Sequence, residues 1–165
     1  MTDGTDPYLL LRHEGTSVWF LGTLMTVKAT GETTGKGFAL IEQVLPPGFA
    51  PPPHVHHGED EAFYILEGRL TFTCGEHTFV APPGAFVYLP RGIVHGFTVA
   101  QEQPARLLQL NTPTGLEHFF TEMGEPAQAL TLPPPAPPDV EKLLALAPKY
   151  HLELQGPPPQ ERSGA

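Results

Sequence analysis

One cysteine, one tryptophan and only 9 basic side chains occur among the 165 residues of this chain. Cys74 alone cannot make an internal disulfide, which excludes a disulfide-stapled scaffold and leaves it as a small, buried or half-buried strand residue. Nine Lys and Arg against 18 Asp and Glu give a net charge of −9. No basic patch can then follow a phosphate backbone, so nucleic-acid binding is not expected. No apolar run approaches the length that spans a bilayer, and Met1-Thr2-Asp3-Gly4 opens no secretory pattern. The expectation is a cytoplasmic protein without membrane contact. The length suits one domain with a real core and is too short to expect two.

Turn-forming residues are plentiful, with 21 prolines and 17 glycines. They punctuate short apolar runs, so residues 8–12, 17–24 and 37–44 read as strand candidates, with His13-Glu14-Gly15 and residues 31–35 as turns between them. Further candidates follow at 61–66, 69–74, 77–81, 86–89, 93–99 and 105–111. Many short strands with frequent turns predict an all-β sandwich or barrel. Pro46-Pro47-Gly48 and Pro51-Pro52-Pro53 stiffen the approach to His54.

The chemistry concentrates between Gly48 and Gly68, which reads G-x5-H-x-H-x4-E-x6-G. Strand side chains alternate faces, so His54 and His56 present two imidazoles to one ion. Glu61 lies an odd five residues past His56, and the chain must turn to bring its carboxylate round. His57-Gly58-Glu59-Asp60 supplies that turn, placing Glu61 at the head of a second strand beside the first, with Glu67-Gly68 as a hairpin signal. His57 and Glu59 belong to the turn by spacing and are expected exposed or behind the ligands. A matching segment from Gly84 reads G-x5-P-x-G-x2-H through Pro90 and Gly92, returning His95 toward the first three. Three imidazoles and a carboxylate suit one divalent transition metal: nickel, cobalt, iron, manganese, copper or zinc. Four protein ligands on an octahedral ion leave two positions for a substrate or dioxygen. His77 reads as an ordinary strand residue, and His13, His118 and His151 as surface or packing residues.

After residue 112 the apolar period changes. Leu116, Phe119, Phe120 and Met123 fall on one helical face, with Thr114 and Glu117 at capping-box spacing. Val140, Leu143, Leu144 and Ala147 repeat the pattern after Asp139, a candidate N-cap. Residues 131–138 form a stiff proline-rich linker. Both helices are expected on the outside of the β domain; the alternative is that one closes a cavity mouth or crosses to a second subunit. A homodimer is the expected assembly.

The two histidine segments resemble the two motifs of the cupin superfamily. Gly48, His54, His56, Glu61 and Gly68 match the first, and Gly84, Pro90, Gly92 and His95 the second. Val99 stands where the second motif usually ends in asparagine. The resemblance selects a small jelly-roll β-barrel with C-terminal α-helices: residues 1–112 as the barrel, 113–155 as the helical extension and 156–165 as a disordered tail. The extension is similar to that of bacterial single-cupin proteins resembling quercetin 2,3-dioxygenase. That likeness implies cleavage of a flavonol-like or other phenolic substrate by O2, with His54, His56, Glu61 and His95 as metal ligands and Glu61 also taking the substrate's proton. Burial would raise the proton affinity of Glu61. By strand parity Phe63, Ile65, Phe72, Phe97 and Val99 face the cavity, an apolar wall that favours a flat aromatic small molecule. Cupins host many chemistries. The alternatives are a non-catalytic metal or small-ligand binding module and a metal-dependent sugar isomerase.

Overall fold

The computed structural model describes residues 6–156. Twelve strands are present among them: β1 Thr16–Phe20, β2 Thr23–Ala29, β3 Ala39–Leu45, β4 His54–His56, β5 Asp60–Glu67, β6 Leu70–Cys74, β7 His77–Ala81, β8 Phe86–Leu89, β9 His95–Val99, β10 Ala105–Thr112, β11 Glu125–Pro126 and β12 Leu152–Leu154. Helix α1 spans Leu116–Met123, α2 spans Val140–Leu146, and a 3-10 turn covers Ala147–Tyr150. The strands form two antiparallel sheets, ordered β11-β1-β2-β3-β10-β5-β8 and β12-β4-β9-β6-β7. Ladder hydrogen bonds do not close these sheets into the expected barrel. The physical reason lies in connections such as 46–53 and 82–85, whose prolines lack the N–H that a continuous ladder needs.

Several local expectations change in the structure. Residues 8–12 form no strand, and 17–24 are two strands broken at Leu21-Gly22, both with positive φ. Segment 8–12 is instead held by Lys28, whose Nζ donates to the carbonyls of Leu11, Arg12 and Glu14. Glu67-Gly68 does not close a hairpin, because β5 and β6 lie in different sheets. Gly68 carries the chain across with φ +80°, and a Cβ there would lie 2.7 Å from the Ala105 backbone. That approach admits only glycine. The Thr114 capping box is replaced by Gly115 at the N-cap. Glu117, fully buried, accepts from the backbone N–H of Gly115 at 2.6 Å and of Gly31 at 2.9 Å, tying α1 to the β2–β3 loop. Asp139 caps α2 through Lys142 N at 3.0 Å.

The buried residues form two apolar clusters. One joins Phe63, Ile65, Phe72, Val87, Leu89, Val99 and Leu107 between the sheets. The other joins Phe20, Met25 and Ile41 to Phe119, Phe120, Leu143 and Leu152 of the C-terminal segment. Neither helix is thus a decoration on the outside. The segment after α2 returns as β12, which pairs with β4 so that Leu152 faces His56 and Leu154 faces His54. Among the described residues no helix is long and apolar enough to cross a membrane. The expected disordered tail lies, apart from Gly156, outside the described residues.

Candidate metal centre

The three histidines come from the five-stranded sheet and the glutamate from the seven-stranded one. His54 on β4 pairs directly with His95 on β9. Glu61 on β5 pairs with Leu89 and Asn111 of the other sheet. The glutamate strand therefore lies across from the histidine strand, not beside it, because the bend at His57-Gly58 carries the chain between sheets. One ligand atom from each of His54, His56, Glu61 and His95 falls within 4.8 Å of all the others. The ring centroids of the imidazoles are 4.6 to 5.3 Å apart. His95 Nε2 stands 2.9 Å from Glu61 Oε2, and His56 Nε2 stands 3.3 Å from Glu61 Oε1. His54 Nδ1 is 2.8 Å from the Pro52 carbonyl and His95 Nδ1 is 3.0 Å from that of Ile93. A carbonyl only accepts, so both rings carry a proton on Nδ1; His54 is thereby free to offer Nε2, whereas His95 Nε2 donates to Glu61 Oε2 and must give up that proton to bind a metal. Three imidazoles and an ionised carboxylate converging on one point are the donor set of a divalent ion, which would displace the His95 Nε2 proton on binding.

Electrostatics favour neutral His54 and His56 and an ionised Glu61, while His95 holds its proton more tightly. Burial, then the nearby His56, pushes His54 down to about 4. His56 is lowered chiefly by burial. Burial also lowers His95, but its hydrogen bond to Glu61 outweighs this and leaves it raised. Burial pushes Glu61 upward as expected from sequence, yet the imidazoles of His56, His95 and His54 prevail and hold it at about 2. Glu61 is therefore ionised and a weak base. Nearby Glu59 goes the other way: burial and the Glu61 charge push it up to about 7. Only 6% exposed, it is buried beside His56, whereas His57 is exposed and pairs with Glu153.

A buried polar chain that the motif spacing does not predict lies behind Glu61. Gln109 Nε2 donates to Glu61 Oε1 at 2.7 Å and to Asn111 Oδ1 at 2.9 Å. Asn111 Nδ2 donates to the same Glu61 oxygen at 3.3 Å, and Gln43 Nε2 donates to Gln109 Oε1. The available signal was Gln109 and Asn111 sharing the inward face of β10 with apolar Leu107.

A cavity of about 80 Å³ opens onto His54, His56, Glu61 and His95. Of the five apolar candidates, Phe63 and Phe97 line it. Ile65, Phe72 and Val99 are fully buried in the cluster between the sheets and are not among its lining residues. All five share the inner face; position along the strand decides which reach the cavity. Its remaining wall includes Phe20, Phe49, Phe119, Phe120, Leu143 and Leu154, several of them from the C-terminal segment. Asp60 fixes the turn before His95, accepting from Arg91 N at 2.9 Å and Arg91 Nε at 3.0 Å.

Two facing antiparallel sheets that aim three imidazoles and one carboxylate at a common point define a protein class with a candidate mononuclear metal centre. The chain belongs to the cupin superfamily: residues 41–111 match the Cupin domain family. An uncharacterized protein of Methanocaldococcus jannaschii is 30% identical over 87 residues, covering 53% of this chain and 69% of that one. Quercetin 2,3-dioxygenase of Bacillus subtilis (strain 168) is 29% identical over 134 residues. This match covers 81% of the chain but only 40% of that enzyme's length. Among solved structures, KdgF from Halomonas sp. superposes with a TM-score of 0.59 at 18% identity, over 68% of this chain and 99% of that one.

Proposed function

We propose that this cupin is a metal-dependent dioxygenase that cleaves a flavonol-like or other phenolic aromatic substrate with O2. The observation that carries the reading is the joining of a three-histidine, one-carboxylate cluster to an apolar cavity. The likeness to quercetin 2,3-dioxygenase over most of this chain supports it. His54, His56, Glu61 and His95 would hold one divalent metal, which when bound would acidify a phenol and supply the electronic coupling that dioxygen chemistry needs. The chain's own residues do the rest. Phe63, Phe97, Phe49, Phe119 and Phe120 offer flat faces to an aromatic ring and exclude water. Glu61 is the proton acceptor, its Oε1 oriented by Gln109 and Asn111.

Cavity size favours a second reading, a non-catalytic small-ligand binding module. Roughly 300–1,000 Å³ is usual for a drug-sized ligand, well above the 80 Å³ here. A flavonol then requires movement of the wall built by Phe120, Leu143 and Leu154. The sugar isomerase loses ground, since among the described residues Gln43 and Gln109 are the only polar lining residues besides the four cluster members.

The assembly belongs to the same proposal. The outer face of the seven-stranded sheet carries Leu108 between Glu42 and Tyr64, then Phe86, and in the next row Leu40, Leu110, Ala62 and Tyr88. Phe86, Tyr88 and Tyr64 are 67%, 53% and 46% exposed. An outer sheet face is ordinarily polar. The net charge of −9 opposes anionic lipid and nucleic acid. The charges at one end, Glu42, Glu67 and Arg106, are already paired. A second copy presenting the same face is the fitting occupant. A cytoplasmic location completes the proposal.

The test is anaerobic reconstitution with each candidate metal, followed by oxygen-uptake measurement with a panel of flavonols and simpler phenols. Uptake that needs both metal and phenol supports the dioxygenase. No uptake with any loaded metal rejects it and moves the binding module forward.

A further inference from the structure

Two buried side-chain atoms among the described residues have no hydrogen-bond partner, His56 Nδ1 and Glu59 Oε2. They lie 3.7 Å apart, across the bend that separates β4 from β5. The distance is longer than a direct hydrogen bond, and a small rotation of the Glu59 carboxyl would satisfy both atoms at once. Orphaned atoms of this kind call for an explanation.

The other two imidazoles supply the comparison. His54 and His95 each rest Nδ1 on the carbonyl two residues earlier, Pro52 and Ile93. For His56 the equivalent carbonyl belongs to His54, a residue paired on both sides, with Leu154 and His95. The device used by its neighbours is thus taken up by the sheet. An acceptor must come from elsewhere, and Glu59 is the group at hand. Its carboxyl lies on the Nδ1 side of the ring, whereas His56 Nε2 faces Glu61, and Glu59 is outside the set of four converging ligand atoms.

We propose that Glu59 is a positioning residue for the metal centre, accepting the His56 Nδ1 proton and so fixing Nε2 as the atom offered to the metal. This rests on the metal-centre reading above. A carboxylate accepts more strongly than a carbonyl and strengthens the imidazole as a donor. Arg91 is the cation acting on Glu59 through space, and Glu61 and Glu117 are the carboxylates that do so.

The experiment is a competition titration with Zn²⁺ and Co²⁺ on wild type, Glu59→Ala and Glu59→Gln, with the exchangeable imidazole N–H resonances of the cobalt-loaded proteins recorded beside it. Glu59→Ala removes an unpartnered buried carboxyl and is expected to fold, which circular dichroism checks. Its metal affinity is expected to fall about 10- to 100-fold, with the His56 N–H resonance alone lost to exchange. Glu59→Gln, whose amide oxygen accepts the same proton, is expected to recover most of the affinity. Wild-type affinity in Glu59→Ala with all three resonances retained overturns the proposal, as does a Glu59→Gln variant as weak as Glu59→Ala. A wild type that binds neither ion removes the metal-centre reading itself, and this proposal with it.

Discussion

Gln109 Nε2 lies 2.7 Å from Glu61 Oε1, so the carboxylate of the four-residue cluster is aimed from the neighbouring strand β10. Replacing Gln109 by Leu leaves Asn111 as the remaining amide donor to that oxygen and deprives the Gln43 amide of its acceptor. A buried polar group left unsatisfied costs about 1–3 kcal/mol. Urea denaturation of Gln109→Leu is expected to show a loss in that range, together with weaker metal binding. Wild-type stability would mean that the amide chain is not satisfied as described.

Leu143 of α2 is 3% exposed and forms part of both the C-terminal apolar cluster and the cavity wall. Truncating a buried leucine to alanine typically costs about 2–5 kcal/mol. Leu143→Ala is expected to lose that much in a urea melt and, under the proposed dioxygenase activity, to admit bulkier phenols with a lower KM. A loss under about 0.5 kcal/mol, the range of surface substitutions, would show that α2 is only loosely attached.

Tyr64 on β5 pairs with Phe86 on β8, and both side chains stand exposed on the outer sheet face. Light scattering after size exclusion is expected to give a dimer for wild type and a monomer for the Tyr64→Lys, Phe86→Lys double variant. An unchanged mass in the double variant would remove this face as the interface.

Much of the centre was legible in the sequence because its residues sit at fixed spacing in two short segments. The shared face of His54 and His56 follows from strand alternation, and the bend before Glu61 from its odd offset. What spacing could not give was the partner of each strand. The step at Gly68 looks like a hairpin locally, and only packing sends β6 to the opposite sheet. β12 is a three-residue run after a 3-10 turn, too short for a periodic signal, yet it covers His54 and His56. The proton affinity of Glu61 departs from the sequence expectation for a related reason. Burial is readable from pattern, but the opposing effect of three imidazoles depends on distances across two sheets. The place of Glu59 between β4 and β5 follows from its position in the chain, while its burial against His56 is a property of the folded structure alone.

The central claim is that His54, His56, Glu61 and His95 together hold one divalent metal. Metal content by plasma mass spectrometry, on wild type, Glu61→Ala and His95→Ala after reconstitution and desalting, tests it most directly. One divalent ion per chain in wild type, falling well below stoichiometric in both variants, is the predicted result. Unchanged metal content in both variants would contradict it.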